Sequence, residues 1–104
     1  MVLFQRRKEQ TKRTEVKIAK ILNLPNVRIL LHILENGEAR YSGLSRLVRS
    51  RGALSNAFRE LDAEKLIQRR IAQETRPIQS YYSLTKRGKE VATGLAKMRS
   101  SLSD

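Results

Sequence analysis

The sequence predicts an α+β fold, mainly α with one small β-hairpin, in a single domain spanning residues 1–104. Three observations predict it. Apolar residues recur at helical spacing through most of the chain, and between Arg40 and Leu66 two such stretches are parted only by a short turn. Beyond Leu61 the helical stripe gives way to two partly alternating runs, Leu66–Gln73 and Ser80–Leu84. A chain of 104 residues without cysteine has to hold itself together through one apolar core, and at this size folding hides roughly two-thirds of the unfolded surface.

The quarter from Met1 to Leu24 is the most basic, with Arg6, Arg7, Lys8, Lys12, Arg13, Lys17 and Lys20 against Glu9 and Glu15. Ile18, Ile21 and Leu22 give its second half an apolar side, which predicts a helix over Thr14–Leu22. Met1 to Lys12 is either a flexible basic arm or the extension of that helix, and its charges are either a solvated face or contacts to phosphate or a partner. Pro25 suits the first turn of a second helix, because its missing N–H and fixed φ cost nothing there. Val27, Leu30, Leu31 and Leu34 form the stripe of this central helix, widened by Ile29 and Ile33, and Asn36-Gly37 ends it with residues that tolerate a left-handed cap. His32 reads as a packed or surface histidine.

Ala39-Arg40-Tyr41 is a candidate short strand. Ser42 is then expected to cap a helix that buries Leu44, Leu47 and Val48. Ser50-Arg51-Gly52 forms the turn, and the Ser50 hydroxyl caps a longer helix whose Leu54, Phe58 and Leu61 make one apolar stripe while Ser55, Asn56 and Arg59 project on the other side. A short helix, a tight turn and a longer helix with a polar, partly basic outer face form the helix-turn-helix pattern of DNA readers.

Glu74-Thr75-Arg76-Pro77 supplies a turn between the two strand runs, so a hairpin follows the second helix directly. A hairpin in that position is a wing, and Arg69, Arg70 and Arg76 lie where guanidinium groups reach backbone phosphate or a minor groove, or else are ordinary solvated arginines. Thr85 is placed to cap a last helix, residues 86–104, in which Val91, Leu95, Met98 and Leu102 recur like a coiled-coil seam. That narrow stripe predicts a dimer interface with a second copy, alongside the alternative that it lies back on Ile18 and Leu22. The full expectation is a winged helix-turn-helix with extra N-terminal and C-terminal helices.

The net charge of +12, from 22 Lys and Arg against 10 Asp and Glu, has the sign that polyanions attract. No apolar run approaches the roughly 20 residues of a membrane span and no signal-peptide block opens the chain, so it is expected to be cytoplasmic. Disulfides and thiolate zinc sites are excluded by the lack of cysteine, and His32, the one histidine, does not make a metal site alone. No nucleophile, base and orienter set and no glycine-rich phosphate loop is present, so neither an enzyme nor a bound cofactor is expected.

The run Ser50-Arg51-Gly52-Ala53-Leu54-Ser55-Asn56-Ala57-Phe58-Arg59-Glu60-Leu61 resembles the recognition helix of MarR-type winged-helix regulators. Pro77 followed by Tyr82-Ser83-Leu84-Thr85-Lys86-Arg87-Gly88 resembles the junction between wing and last helix shared by the HxlR, PadR and MarR groups, and small archaeal regulators of that kind are similar in length. The resemblance covers about Val27 to Met98 and implies a dimeric transcription regulator on duplex DNA, with the recognition helix in the major groove and the wing over the neighbouring minor groove or backbone. Two departures stand out. A glycine usually precedes the first wing strand, where the chain takes positive φ, and Lys65 stands there instead, which predicts a looser turn or a longer helix. Cysteine-dependent sensing of the HxlR type is not carried over to a chain without cysteine, and the chain is short for a MarR-type ligand pocket, so a constitutive binder regulated by its own abundance is the simpler expectation.

On this basis Asn56 is expected to pair with adenine and Arg59 with guanine, with Ser55 beside them, because both point away from the apolar stripe. Ser42, Arg49, Ser50, Arg51 and Gly52 are expected at the DNA backbone. The expected partners are double-stranded DNA and a second copy of the chain, with no membrane and no metal. Two rival classes predict different features. A winged helix used for protein contact predicts a non-basic recognition face with an apolar patch, and a non-specific DNA or RNA coat predicts a steep salt slope without site preference.

Overall fold

The computed structural model describes residues 2–103, with side chains from residue 10 onward. Arg6, Arg7 and Lys8 of the basic N-terminal segment therefore lie outside the described side chains. In chain order the elements are α1 (Val2–Ile21), α2 (Leu24–Asn36), β1 (Ala39–Arg40), α3 (Tyr41–Leu47), α4 (Arg51–Ala63), β2 (Ile67–Ala72), β3 (Gln79–Leu84) and α5 (Lys86–Leu102). The helix expected over Thr14–Leu22 is the second half of α1. Only Ile21 of its apolar side is buried, while Ile18 and Leu22 stay exposed. Among the described residues no helix is long and apolar enough to cross a membrane.

α2 is the central element, packed against α3, α4, α5, β1 and β3. Asn23 caps it, accepting from the Asn26 amide at 3.0 Å, and Pro25 sits in the first turn where its missing donor is harmless. Gly37 ends it at φ 80. The buried ridge is Asn26, Ile29, Leu30 and Ile33. Of the stripe expected from the sequence only Leu30 is fully buried, and Val27, Leu31 and Leu34 sit half-buried at the margins. The ridge includes Ile29 and Ile33, and the helix is covered by helices and by the sheet alike.

β1, β3 and β2 form one antiparallel sheet in that order. Ala39 pairs with Tyr82 and Arg40 with Tyr81, while Ile67 to Ala72 pair in register with Leu84 to Gln79. The short strand and the wing hairpin therefore both form, joined by β3. α3 begins at Tyr41, one residue ahead of Ser42, and has no side-chain cap. The cap expected from Ser42 is a correction: its carbonyl instead accepts from the Ser45 hydroxyl inside the helix. Gly52 likewise lies in the first turn of α4, and the link between helices is Val48-Arg49-Ser50. Ser50 caps α4 as expected, accepting from the Ala53 amide at 3.2 Å.

Lys65 adopts φ 56. Its amide donates to Asp62 and the Leu66 amide to Leu61, both at 2.9 Å, which is the Schellman closure of a helix with lysine at the left-handed position. The looser turn expected there does not occur, because these two bonds and the buried Leu66 hold the same conformation that glycine adopts at less cost. Gly88 explains the spacing of the junction motif: a Cβ there would collide with the Leu66 carbonyl oxygen.

Candidate nucleic-acid interface

Leu54, Ala57 and Leu61 fix the inner side of α4 in the core. Phe58, expected as the middle anchor, is half-buried, and its ring stacks on Tyr82 of the wing with centroids 4.5 Å apart and planes 4° from parallel. Ala57 takes the buried middle position, and Phe58 instead ties α4 to the sheet.

With that ridge inward, Arg51, Gly52, Ser55, Asn56 and Arg59 are all exposed. Among the described residues neither Asn56 nor Arg59 has a side-chain hydrogen bond or ion pair, so both present their full donor and acceptor sets outward. A cleft of about 610 Å³ separates α4 from the wing, lined by Phe58, Ile67 and Tyr82 with Arg59, Asp62 and Arg69 at its rim.

The three wing arginines have different surroundings. Arg69 stands opposite Tyr82 in the ladder and faces the cleft beside Arg59. Strand alternation turns Arg70 to the other face, where it pairs with Glu38 at 3.1 Å and lies 4.6 Å from the Tyr81 ring centre. The Glu38 carboxylate, by its hydrogen bond first and its charge second, holds the Arg70 pKa above the ordinary value. Arg76 folds back to donate to the carbonyls of Gln73 at 2.6 Å and Thr75 at 3.0 Å. The sequence pointed to Arg76 ahead of Arg69 and Arg70; of the three, only Arg69 combines exposure with a place beside α4 and, among the described residues, no protein partner.

Positive charge also gathers at the start of α4. Arg28, Arg46 and Arg49 surround a hollow with Ser50, and Arg28 and Arg46 were not singled out from sequence because they belong to α2 and α3. The described ion pairs lie elsewhere: Glu64 with Lys17 and Arg87, Glu38 with Arg70, and Glu35 with Arg99. Among the described residues Arg28, Arg46 and Arg49 take part in none of them.

Of the expected seam on α5, Leu95 is buried and Val91 half-buried within the chain, packed on the α2 side. Leu95 is therefore a core residue as placed, a correction to its expected place at a dimer interface. Met98 and Leu102 remain 50% and 77% exposed.

The family model described as HxlR-like helix-turn-helix matches residues 25–103. Among solved structures, the chain resembles ytfH of Salmonella typhimurium, described as a transcriptional regulator, with 25% identity over 86% of this chain and 80% of that one and a TM-score of 0.71. It resembles the redox regulator HypR in its oxidized form at 23% identity, covering 88% and 98% of the two chains with a TM-score of 0.70. A transcriptional regulator homologue from Pyrococcus horikoshii OT3 shares the fold at 18% identity, covering 88% and 93%, with a TM-score of 0.66. No curated protein sequence matches.

Proposed function

This chain belongs to the HxlR-like helix-turn-helix family, and from that premise we propose that it is a sequence-specific transcription regulator that binds double-stranded DNA in the cytoplasm as a homodimer. α4 enters the major groove, and the wing lies on the neighbouring minor groove or backbone. Asn56 and Arg59 read bases, with Ser55 beside them; Ser42, Arg49, Ser50, Arg51 and Gly52 lie along the phosphates. On the wing Arg69 is the arginine that reaches DNA, since Arg70 and Arg76 are already held by the protein.

One observation carries this reading. Asn56 and Arg59 stand exposed and, among the described residues, without protein partners on the side of α4 opposite Leu54, Ala57 and Leu61. A bidentate amide suits adenine and a guanidinium suits guanine, each such pair discriminating by about 1–3 kcal/mol.

Self-association is supported by apolar side chains that the single chain leaves uncovered: Val16 and Ile18 on α1, Leu22 just after it, and Met98 and Leu102 on α5. Two copies joined there would present recognition helices about 34 Å apart, matching pseudo-palindromic half-sites one turn apart. Selection of bound duplexes from a random pool at two salt concentrations tests the reading. A consensus that persists at the higher salt is expected, and binding without any consensus would replace it with a non-specific coat.

A further inference from the structure

Three arginines from three separate segments meet at the beginning of α4. Arg28 comes from α2, Arg46 from α3 and Arg49 from the link between α3 and α4, and together they line a hollow of about 340 Å³ whose walls include Leu47, Val48 and Ala53. Among the described residues no carboxylate lines it. All three arginines are exposed, and among the described residues none of them takes part in a hydrogen bond or an ion pair. Like charges gathered around one hollow repel each other, and an anion placed between them converts that repulsion into attraction. The positive end of the α4 dipole adds to the same field.

We propose that this hollow is a seat for one phosphodiester of duplex DNA, held by Arg28 and Arg46 together with Arg49; it rests on the regulator reading for the identity of the partner. A planar guanidinium grips phosphate oxygens in pairs, and three arriving from different elements fix the phosphate in position as well as in charge. The seat lies by Ala53, on the flank of α4 turned away from Phe58 and Asp62, whereas Arg69 stands in the cleft on the wing side. The recognition helix is therefore held to the backbone from both flanks and at both ends. That double hold sets the depth and angle at which Asn56 and Arg59 meet base edges. Because Arg28 and Arg46 are anchored in α2 and α3, the seat transmits the position of the core, and not of the wing, to the DNA.

The test measures binding of a fluorescent duplex by anisotropy between about 50 and 200 mM salt. The proteins compared are the wild type, the double variant Arg28→Gln/Arg46→Gln, and a control that removes two exposed charges on α5, Lys89→Gln/Lys97→Gln. The seat variant is expected to lose about one unit of salt slope, the amount for one phosphate, on cognate and random duplexes alike. The control should keep the wild-type slope, and Arg28→Lys, which retains the charge, should keep most of it. Thermal melts matched to wild type confirm folding, as expected for exposed positions. A seat variant whose slope equals that of the control overturns the seat and leaves the regulator reading standing; an acidic protein segment as occupant would give that result. A wild type that binds no duplex at any salt overturns both.

Discussion

The hydroxyl of Thr85 donates to the carbonyl oxygen of Lys65 at 2.6 Å and accepts from the Gly88 amide at 3.0 Å. One side chain thus joins the left-handed residue before the wing to the first turn of α5. The Thr85 amide adds a bond to the Leu66 carbonyl at 3.0 Å. The root of the wing, and with it the placement of Arg69 beside α4, depends on this small junction.

Because Lys65 occupies φ 56, where an L side chain costs about 1–2 kcal/mol, Lys65→Gly should stabilise the fold. Part of the gain is offset by the larger backbone entropy of glycine in the unfolded chain, leaving about 0.5–1 kcal/mol. A melting temperature several degrees higher in a thermal scan is expected. An unchanged or lower value would remove the strain argument.

Gly88→Ala should destabilise by about 3 kcal/mol or more, because the added methyl meets the Leu66 backbone, which is pinned by its own hydrogen bonds. Thr85→Val, which loses the cap and the bond to Lys65 while keeping its shape, should cost about 1–2 kcal/mol. Urea unfolding measures both, and the order of severity is itself part of the expectation.

Asn26 is fully buried, and among the described residues its side-chain nitrogen and oxygen have no hydrogen-bond partner. A buried amide in that state costs about 1–3 kcal/mol, so Asn26→Leu, branched at the same carbon, should raise stability by about 1–2 kcal/mol. A loss of stability in the same urea assay would show that the amide is needed where it stands.

Asn56→Ala and Arg59→Ala should each erode preference for the selected site by about 1–3 kcal/mol while leaving binding to random duplex nearly intact. Arg69→Gln should weaken all sequences together and reduce the salt slope by about one unit. Arg70→Gln should change it less, since that guanidinium is already engaged by Glu38 and Tyr81. Competition binding at fixed salt separates the two patterns.

Met98→Glu/Leu102→Glu places charges on the exposed end of α5 without touching the core. Sedimentation should show a dimer for the wild type and a monomer for this variant, with melting of the single domain little changed. A wild type that sediments as a monomer at micromolar concentration would defeat the proposed assembly.

The central helix, the two helices about Val48-Arg49-Ser50, the hairpin and the capped last helix were all legible in the sequence, because each is marked by a local signal. Pro25, Ser50 and Thr85 act within a turn of their own position. The outward direction of Asn56 and Arg59 was legible for the same reason, since helical geometry alone turns them from Leu54 and Leu61. Misjudged features needed a partner from elsewhere in the chain. Phe58 leaves the centre of the ridge for a stack on Tyr82, and Leu95 leaves the predicted seam for the core. Arg70 finds Glu38, which is distant in sequence.

What the sequence determined by itself is therefore the succession of elements and the polar side of the recognition helix, because caps, turns and periodicity are short-range physics. What only the tertiary structure decided is which positive charges remain available. Lys17, Arg70, Arg87 and Arg99 meet carboxylates from other elements, and Arg76 turns to its own loop, while Arg28, Arg46 and Arg49 are brought around one hollow. Electrostatic pairing depends on distance through space, and that distance is fixed only once the core has closed.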